Sequence, residues 1–378
     1  MNRTESIDLL RGFIMVLMAL DHASGLVGRI HFTEMWGVDF LEYPTIGWWF
    51  TRFVSHLCAP GFFFLMGMSI YLFAQKRLAA GWTASKIYTY FLKRGGLILL
   101  FMFFLEFPAW ALGMSFNAVE PAEATPAMPG LYNGGFLIPT TVLYGLGTCM
   151  MIGGFLWKWK DIFYLLTTIA CFALSGIYIS NATVDVAYHP LQHFLLVPGM
   201  SKGAMVLYPI IPWLGVTTFG MFWASLLLKK RDKIYRLSLI TGIAFIGAFL
   251  LLRYNQIGNF QKYLYDDWIS FFTLIKYPPS VDFILITCGI NLILFYLFSH
   301  ITQKKWTKPL KIFGQTAMFF YIIHLYLYSL IGIPFALGCD ITIMYGLWAM
   351  GLVVLYFICN RFLQFKKGTP LNSFWRMV

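Results

Sequence analysis

Runs of about twenty apolar residues recur along this 378-residue chain, and they limit its fold more than any single motif does. A helix of roughly 20 residues crosses the hydrocarbon core of a bilayer, where the backbone must satisfy its own hydrogen bonds. Only 12% of the residues are charged, about half the share of an ordinary soluble domain. No polar stretch is long enough to build a soluble domain beside the apolar runs. The sequence therefore predicts an all-α, polytopic transmembrane helical bundle, a single integral-membrane domain over residues 1–378.

Ten spans are expected, at about 10–28, 53–75, 92–114, 136–157, 162–180, 205–228, 236–254, 281–300, 311–333 and 341–363. With both termini and alternate turns assigned to the cytoplasm, 22 of the 28 Lys and Arg residues fall on that side. The net charge of +12 is thus a topology signal, and nucleic acid is not an expected partner. Acidic residues precede the first run and no small-residue cleavage site follows it, so it reads as a retained helix. Six scattered cysteines within apolar runs suggest neither a disulfide framework nor a metal site.

Ionisable residues at membrane depth are costly and usually face a bundle interior or a watery cavity. The first span carries Arg11, Met15, Met18 and His22 on one stripe, with Asp21 beside His22 and Asp8 at the entrance. Arg11 and His22 are three turns apart, roughly 16 Å of rise. The alternative is that Asp21 and His22 end the helix in interfacial water. The expected topology brings His56 one turn into the second span, Glu106 to a similar level in the third, and His324 roughly 20 Å up the ninth. Asp21, His22, Arg52, His56, Glu106 and His324 would then converge from four helices. Such a set could supply a base and a carboxylate for acyl transfer, line a proton path, or form a structural hydrogen-bond network.

The outer loops carry His31, Glu34, Asp39 and Trp36 in residues 29–52, an irregular stretch at 115–135 with Glu120 and Glu123, and His189 and His193 further on. These histidines read as solvated loop residues. Pro190 and the lack of a third acidic ligand argue against zinc at His189 and His193, so no metal is expected. On the inner face, Arg11, Lys93, Arg94 and the lysines near residue 230 suit either a polyphosphate or anionic lipid.

Ser6-Ile-Asp-Leu-Leu-Arg-Gly12, leading to Asp21-His22, resembles the opening of the transmembrane acyltransferase superfamily. Thr51-Arg-Phe-Val-Ser-His-Leu-Cys-Ala-Pro-Gly61 with the run to Gly67 resembles its second helix. Tyr208-Pro-Ile-Ile-Pro-Trp-Leu-Gly215, Lys276-Tyr-Pro-Pro-Ser280 and Phe313-Gly-Gln-Thr-Ala-Met-Phe-Phe-Tyr-Ile-Ile-His324 are similar to bacterial membrane proteins related to the heparan-alpha-glucosaminide N-acetyltransferase catalytic domain. The resemblance implies acetyl transfer from cytoplasmic acetyl-CoA to an acceptor across the membrane. It implies a catalytic group of His22, His56, Asp21 and His324, with Arg11, Asp8, Arg94 and Arg52 toward the donor. In the lysosomal relative the active histidine lies between the first two helices, an interval that here holds His31. His22 instead matches the first-helix histidine of the wider superfamily and is the favoured base.

The expected partners are an acyl-CoA donor, a carbohydrate or envelope-glycan acceptor, the lipid bilayer and, as one option, a second copy of the chain. The expected location is a bacterial inner (plasma) membrane. The rival from another class is a proton-coupled transporter or exporter using the same histidines as a relay. A purely structural membrane module is a third reading.

Overall fold

The computed structural model describes residues 5–31, 33–38, 42–116, 130–132, 135–183, 188–201, 203–230, 233–370 and 373–376. Asp39, Glu120, Glu123 and most of the 115–135 loop lie outside the described residues.

The chain is an all-α membrane bundle. Helix α1 (Glu5–Leu26) opens with Glu5 and Asp8 in its first turn, where acids favour the positive end of the helix dipole. Helices α2 (Ile46–Ser55) and α3 (Cys58–Ala79) form one interrupted passage. Helix α4 (Ala84–Phe101) runs through a π-helical stretch at Met102–Glu106 into α5 (Phe107–Ser115). Then come α6 (Val142–Leu156), α7 (Asp161–Ser180), the short α8 (Pro190–Leu195), α9 (Ile210–Lys229) and α10 (Ile234–Tyr254). The last group is α11 (Trp268–Phe272), α12 (Val281–His300), α13 (Lys308–Gln315), α14 (Ala317–Ile331) and α15 (Ile341–Gly368).

Among the described residues, eight helical segments are long and apolar enough to cross a membrane, and a bent pair would make nine. The expected ten spans are corrected in two places. The fourth is only the 15-residue α6. The ninth is broken, because α13 and α14 meet at 88° around Thr316. Helix α13 is amphipathic, and its Lys311 ammonium bonds Glu5 at 2.7 Å, so it lies across the base of α1.

Two glycine seams hold the centre. A Cβ on Gly12 would stand 1.9 Å from the Leu310 carbonyl oxygen, and one on Gly314 would stand 2.0 Å from that of Asp8. The same happens between α3 and α9, where Gly67 would meet Thr217 O at 1.9 Å and Gly220 would meet Phe64 O at 2.0 Å. Helix backbones approach this closely only where side chains are absent. Helices α1, α3 and α9 are therefore mostly buried, whereas α7, α10 and α15 turn much of their surface outward.

Both termini and the basic turns gather at one end. Ser6 meets Tyr235 at the start of α10, Arg11 bonds Ser69 in α3, and Lys229 pairs with Asp161 at the start of α7. Phe362 of α15 stacks on Phe319 of α14 at 3.9 Å. At the opposite, distal end a small sheet of β1 (Gly130–Tyr132), β2 (Gly135–Thr140), β3 (Gly199–Ser201) and β4 (Ala204–Val206) has the order β1-β2-β4-β3. Its parallel β2–β4 pair ties the loop before α6 to the loop before α9.

Candidate functional site

Successive helix residues project about 100° apart, so Asp21 and His22 serve two different neighbours. Asp21 turns toward α2. Its Oδ1 accepts from Arg52 Nη1 at 2.8 Å and from Ser55 Oγ at 2.7 Å. Arg52 donates its remaining groups to Glu34, with Nε at 2.9 Å from Oε1 and Nη2 at 2.6 Å from Oε2. Tyr43 Oη donates to the same carboxylate at 3.1 Å. Burial alone would raise the Glu34 carboxyl, but Arg52 and His56 outweigh it and hold the group well below its ordinary value. His56 Nε2 stands 3.2 Å from Glu34 Oε2, yet off the hydrogen-bond line, so this nitrogen is buried with no aligned partner. The 55–58 break between α2 and α3 is what points His56 at Glu34 rather than along the helix.

His22 turns the other way, toward α14. Its ring stacks on His324 with centroids 4.9 Å apart, and its Nδ1 lies 2.6 Å from His324 Nε2. His324 Nδ1 is 3.0 Å from the Phe320 carbonyl oxygen, which can only accept. The network therefore assigns the tautomers. His324 carries its proton on Nδ1, His22 donates from Nδ1 to His324 Nε2, and the lone pair of His22 lies on Nε2. His22 is half-buried while His324 is fully buried. Trp110 meets His22 edge-on at 5.1 Å and Tyr321 at 6.5 Å. Tyr321 Oη donates to Glu106, which also accepts from Thr141 Oγ1 at 2.5 Å. Glu106 reaches this place from the end of the π-helical stretch, whose extra residue per turn re-aims it inward.

The six residues expected to converge thus form two adjoining groups, an ionic one around Arg52 and a histidine pair braced by Tyr321 and Glu106. Glu34 joins the first group from a loop where acidic residues are ordinary, and sequence reasoning gave it no role. His31, read as a solvated loop residue, is half-buried with Nε2 3.4 Å from Asp21 Oδ2. His193, read the same way, is buried and its Nδ1 meets the Val197 carbonyl at 3.0 Å. His189 instead caps α8, accepting from Leu191 N at 3.3 Å.

The residues expected near the donor are spread out. Arg11 meets Asp8 at 3.4 Å, Gly314 O at 3.1 Å and Ser69 Oγ at 2.9 Å, while Gln315 Nε2 bonds Asp8 at 3.2 Å. Arg94 donates to Tyr90 Oη at 3.0 Å, and Arg52 sits in the distal ionic group. The terminus-bearing end also holds an open cavity of about 960 Å³ lined by Trp82, Trp157, Lys158 and Lys160. Arg77 and Lys86 lie over the Trp82 ring at 4.7 and 4.6 Å.

No protein of curated function matches the chain. The family model described as heparan-alpha-glucosaminide N-acetyltransferase, catalytic, matches residues 3–256. That range holds Asp8, Asp21, His22, Arg52, His56 and Glu106 and stops short of Lys276 and His324. With two thirds of its length matched and a polytopic membrane fold, the chain belongs to the heparan-alpha-glucosaminide N-acetyltransferase catalytic family.

Proposed function

We propose that this protein moves an acetyl group from acetyl-CoA, bound at the terminus-bearing cytoplasmic end, to an amine or hydroxyl of an extracytoplasmic sugar. The observation that carries the reading is the chain Phe320 O, His324, His22, which leaves a basic lone pair on His22 Nε2. A base whose second nitrogen is already engaged cannot flip its ring or its tautomer, which is what general-base catalysis needs. His22 Nε2 takes the proton of the attacking amine or hydroxyl. As the ring becomes positive, its Nδ1–H bond to His324 becomes charge-assisted and shortens the path to the transition state. The same proton then returns to the departing thiolate.

The donor reading draws on the cationic cavity. Arg77, Lys86, Lys158 and Lys160 gather around aromatic rings there, a chemistry suited to a purine and its phosphates. Arg77 Nε is also buried without a partner. From Arg11 to His22 the first helix rises roughly 16 Å, so a thin arm such as that of CoA would carry the thioester inward.

The test is calorimetry of acetyl-CoA against the purified protein, with dephospho-CoA and acetate as controls, followed by labelled-acetyl transfer to amino sugars. Saturable binding that weakens without the 3′-phosphate, and transfer lost in His22→Ala, are the expected results. A folded protein that binds no acetyl-CoA sinks the reading, and accumulation of an unmodified solute driven by a proton gradient would replace it with transport.

A further inference from the structure

Among the described residues four Lys and Arg side chains are buried at the distal end, and three of them have every nitrogen hydrogen-bonded. Arg29 donates Nε, Nη1 and Nη2 to the carbonyls of Phe335, Gly113 and Gly332 at 2.8–3.2 Å. Arg253 donates to the carbonyls of Phe271, Gln261, Ser270 and Thr273. Arg52 is divided between Glu34 and Asp21. Lys276 is the exception. Its residue is 3% exposed, no carboxylate among the described residues comes within 4 Å of its ammonium, and its only close neighbour of note is the Tyr277 ring at 5.0 Å. A lysine set this deep without a carboxylate partner is costly to keep and persists where something else repays it.

The segment that carries Lys276 is fixed in place by main-chain bonds to the site loop. Lys276 N and Tyr277 N both donate to Glu34 O, at 3.0 and 3.1 Å, and Trp36 N donates back to Tyr277 O at 2.9 Å. Ser280 N closes the turn on Ile275 O at 3.0 Å, and Tyr277 Oη lies 3.4 Å from Tyr208 Oη. The main chain of Lys276 is thus bonded to that of Glu34, whose carboxylate holds Arg52 and, through it, Asp21 beside His22.

We propose that Lys276 is a catalytic residue whose ammonium stabilises the oxyanion of acyl transfer, an inference that rests on the acyltransferase reading above. The acceptor's nitrogen or oxygen bonds the thioester carbonyl carbon while its proton passes to His22 Nε2. The carbonyl π pair moves onto oxygen, and the resulting oxyanion faces the Lys276 ammonium. The pair returns as the carbon–sulfur bond breaks, and the CoA thiolate takes the proton from His22. A preformed cation that meets charge appearing only in the transition state is an effective arrangement for such a step. It also accounts for the Lys276-Tyr-Pro-Pro-Ser280 motif, whose other residues serve to hold this one still.

The experiment uses the full chain in detergent, with acetyl-CoA as donor, D-glucosamine as acceptor and CoA thiol release as the readout. Lys276→Met should lower kcat by about 10²–10³-fold, with KM for acetyl-CoA held within about threefold, since the contact forms only at the transition state. Lys276→Gln serves as a second uncharged variant, and thermal unfolding of both confirms the fold. Lys276→Arg should recover part of the rate. An unchanged kcat, or a loss expressed only as a raised KM, overturns the inference. Absence of thiol release from the unmodified protein overturns the acyl-transfer reading itself, and is told apart because no variant is involved.

Discussion

The ionic group and the histidine pair lie side by side on one helix and solve burial in opposite ways. Around Arg52, two carboxylates share one guanidinium, and each of its three nitrogens donates to one of them. Around His22, no formal charge is needed, and one nitrogen is left with an uncommitted lone pair. The closed network gives shape; the open one is where the proposed acyl transfer acts. The two depend on each other because Asp21 and His22 are consecutive, so fixing the first fixes the rotation of α1 that aims the second.

The strongest way to break this contrast is His22→Ala, which should reduce acetyl transfer by about 10²–10⁴-fold with the unfolding midpoint little changed. Arg52→Met should show the reverse profile. It leaves Glu34 and Asp21 buried without their cation, at a cost of about 3–5 kcal/mol in denaturant unfolding. Adding Glu34→Leu to Arg52→Met should return part of that stability, because one of the two orphaned charges is then gone. His324→Phe keeps the stack and loses the acceptor for His22 Nδ1–H, and a drop in kcat of about 10- to 100-fold is expected, as for other orienting partners. Equal activity in that variant would mean His22 needs no fixed tautomer. Lys158→Ala with Lys160→Ala should raise KM for acetyl-CoA several-fold, about 1 kcal/mol or less per exposed charge, and leave kcat alone.

The smallest effect is with pH. Glu34 has its folded-state value depressed below its ordinary 4.5, so its contribution to stability is complete above that value and is lost as pH falls through the folded value. The stability gap between the unmodified protein and Glu34→Gln should therefore stay constant from pH 8 to about 5 and close only below about 4.5. A gap that closes near neutrality would mean the network is not paired as described.

Much of the bundle could be read from apolar periodicity alone, since runs such as 281–300 coincide with α12 to the residue. The errors fall where length or polarity changes within a run. Gly314-Gln315-Thr316 interrupts an otherwise apolar stretch, and that is where α13 turns away from α14 by 88°. In the site, Asp21, His22, His56 and His324 stood out because ionisable groups are rare at membrane depth. Glu34 did not, because it sits in a loop where charge is ordinary, and Lys276 stood out only as the first residue of a loop motif, with no role of its own. Only the fold reveals that these loops descend into the protein. Arg52 is expected both in the converging set and toward the donor, and its bidentate pairing with Glu34 sets it in the distal ionic group.

The paired glycines of α1 with α13 and of α3 with α9 bear on how a group could cross this protein. A carrier that rocks between two faces needs surfaces that slide, with side chains that disengage and re-engage. Here backbone lies on backbone, and displacement along either seam would drive a Cα into a carbonyl oxygen. Each seam therefore makes one fixed pair, α1 with α13 and α3 with α9. Fixed pairs of this kind suit the acyl transfer proposed above, which asks the donor's arm, and not the helices, to span the distance.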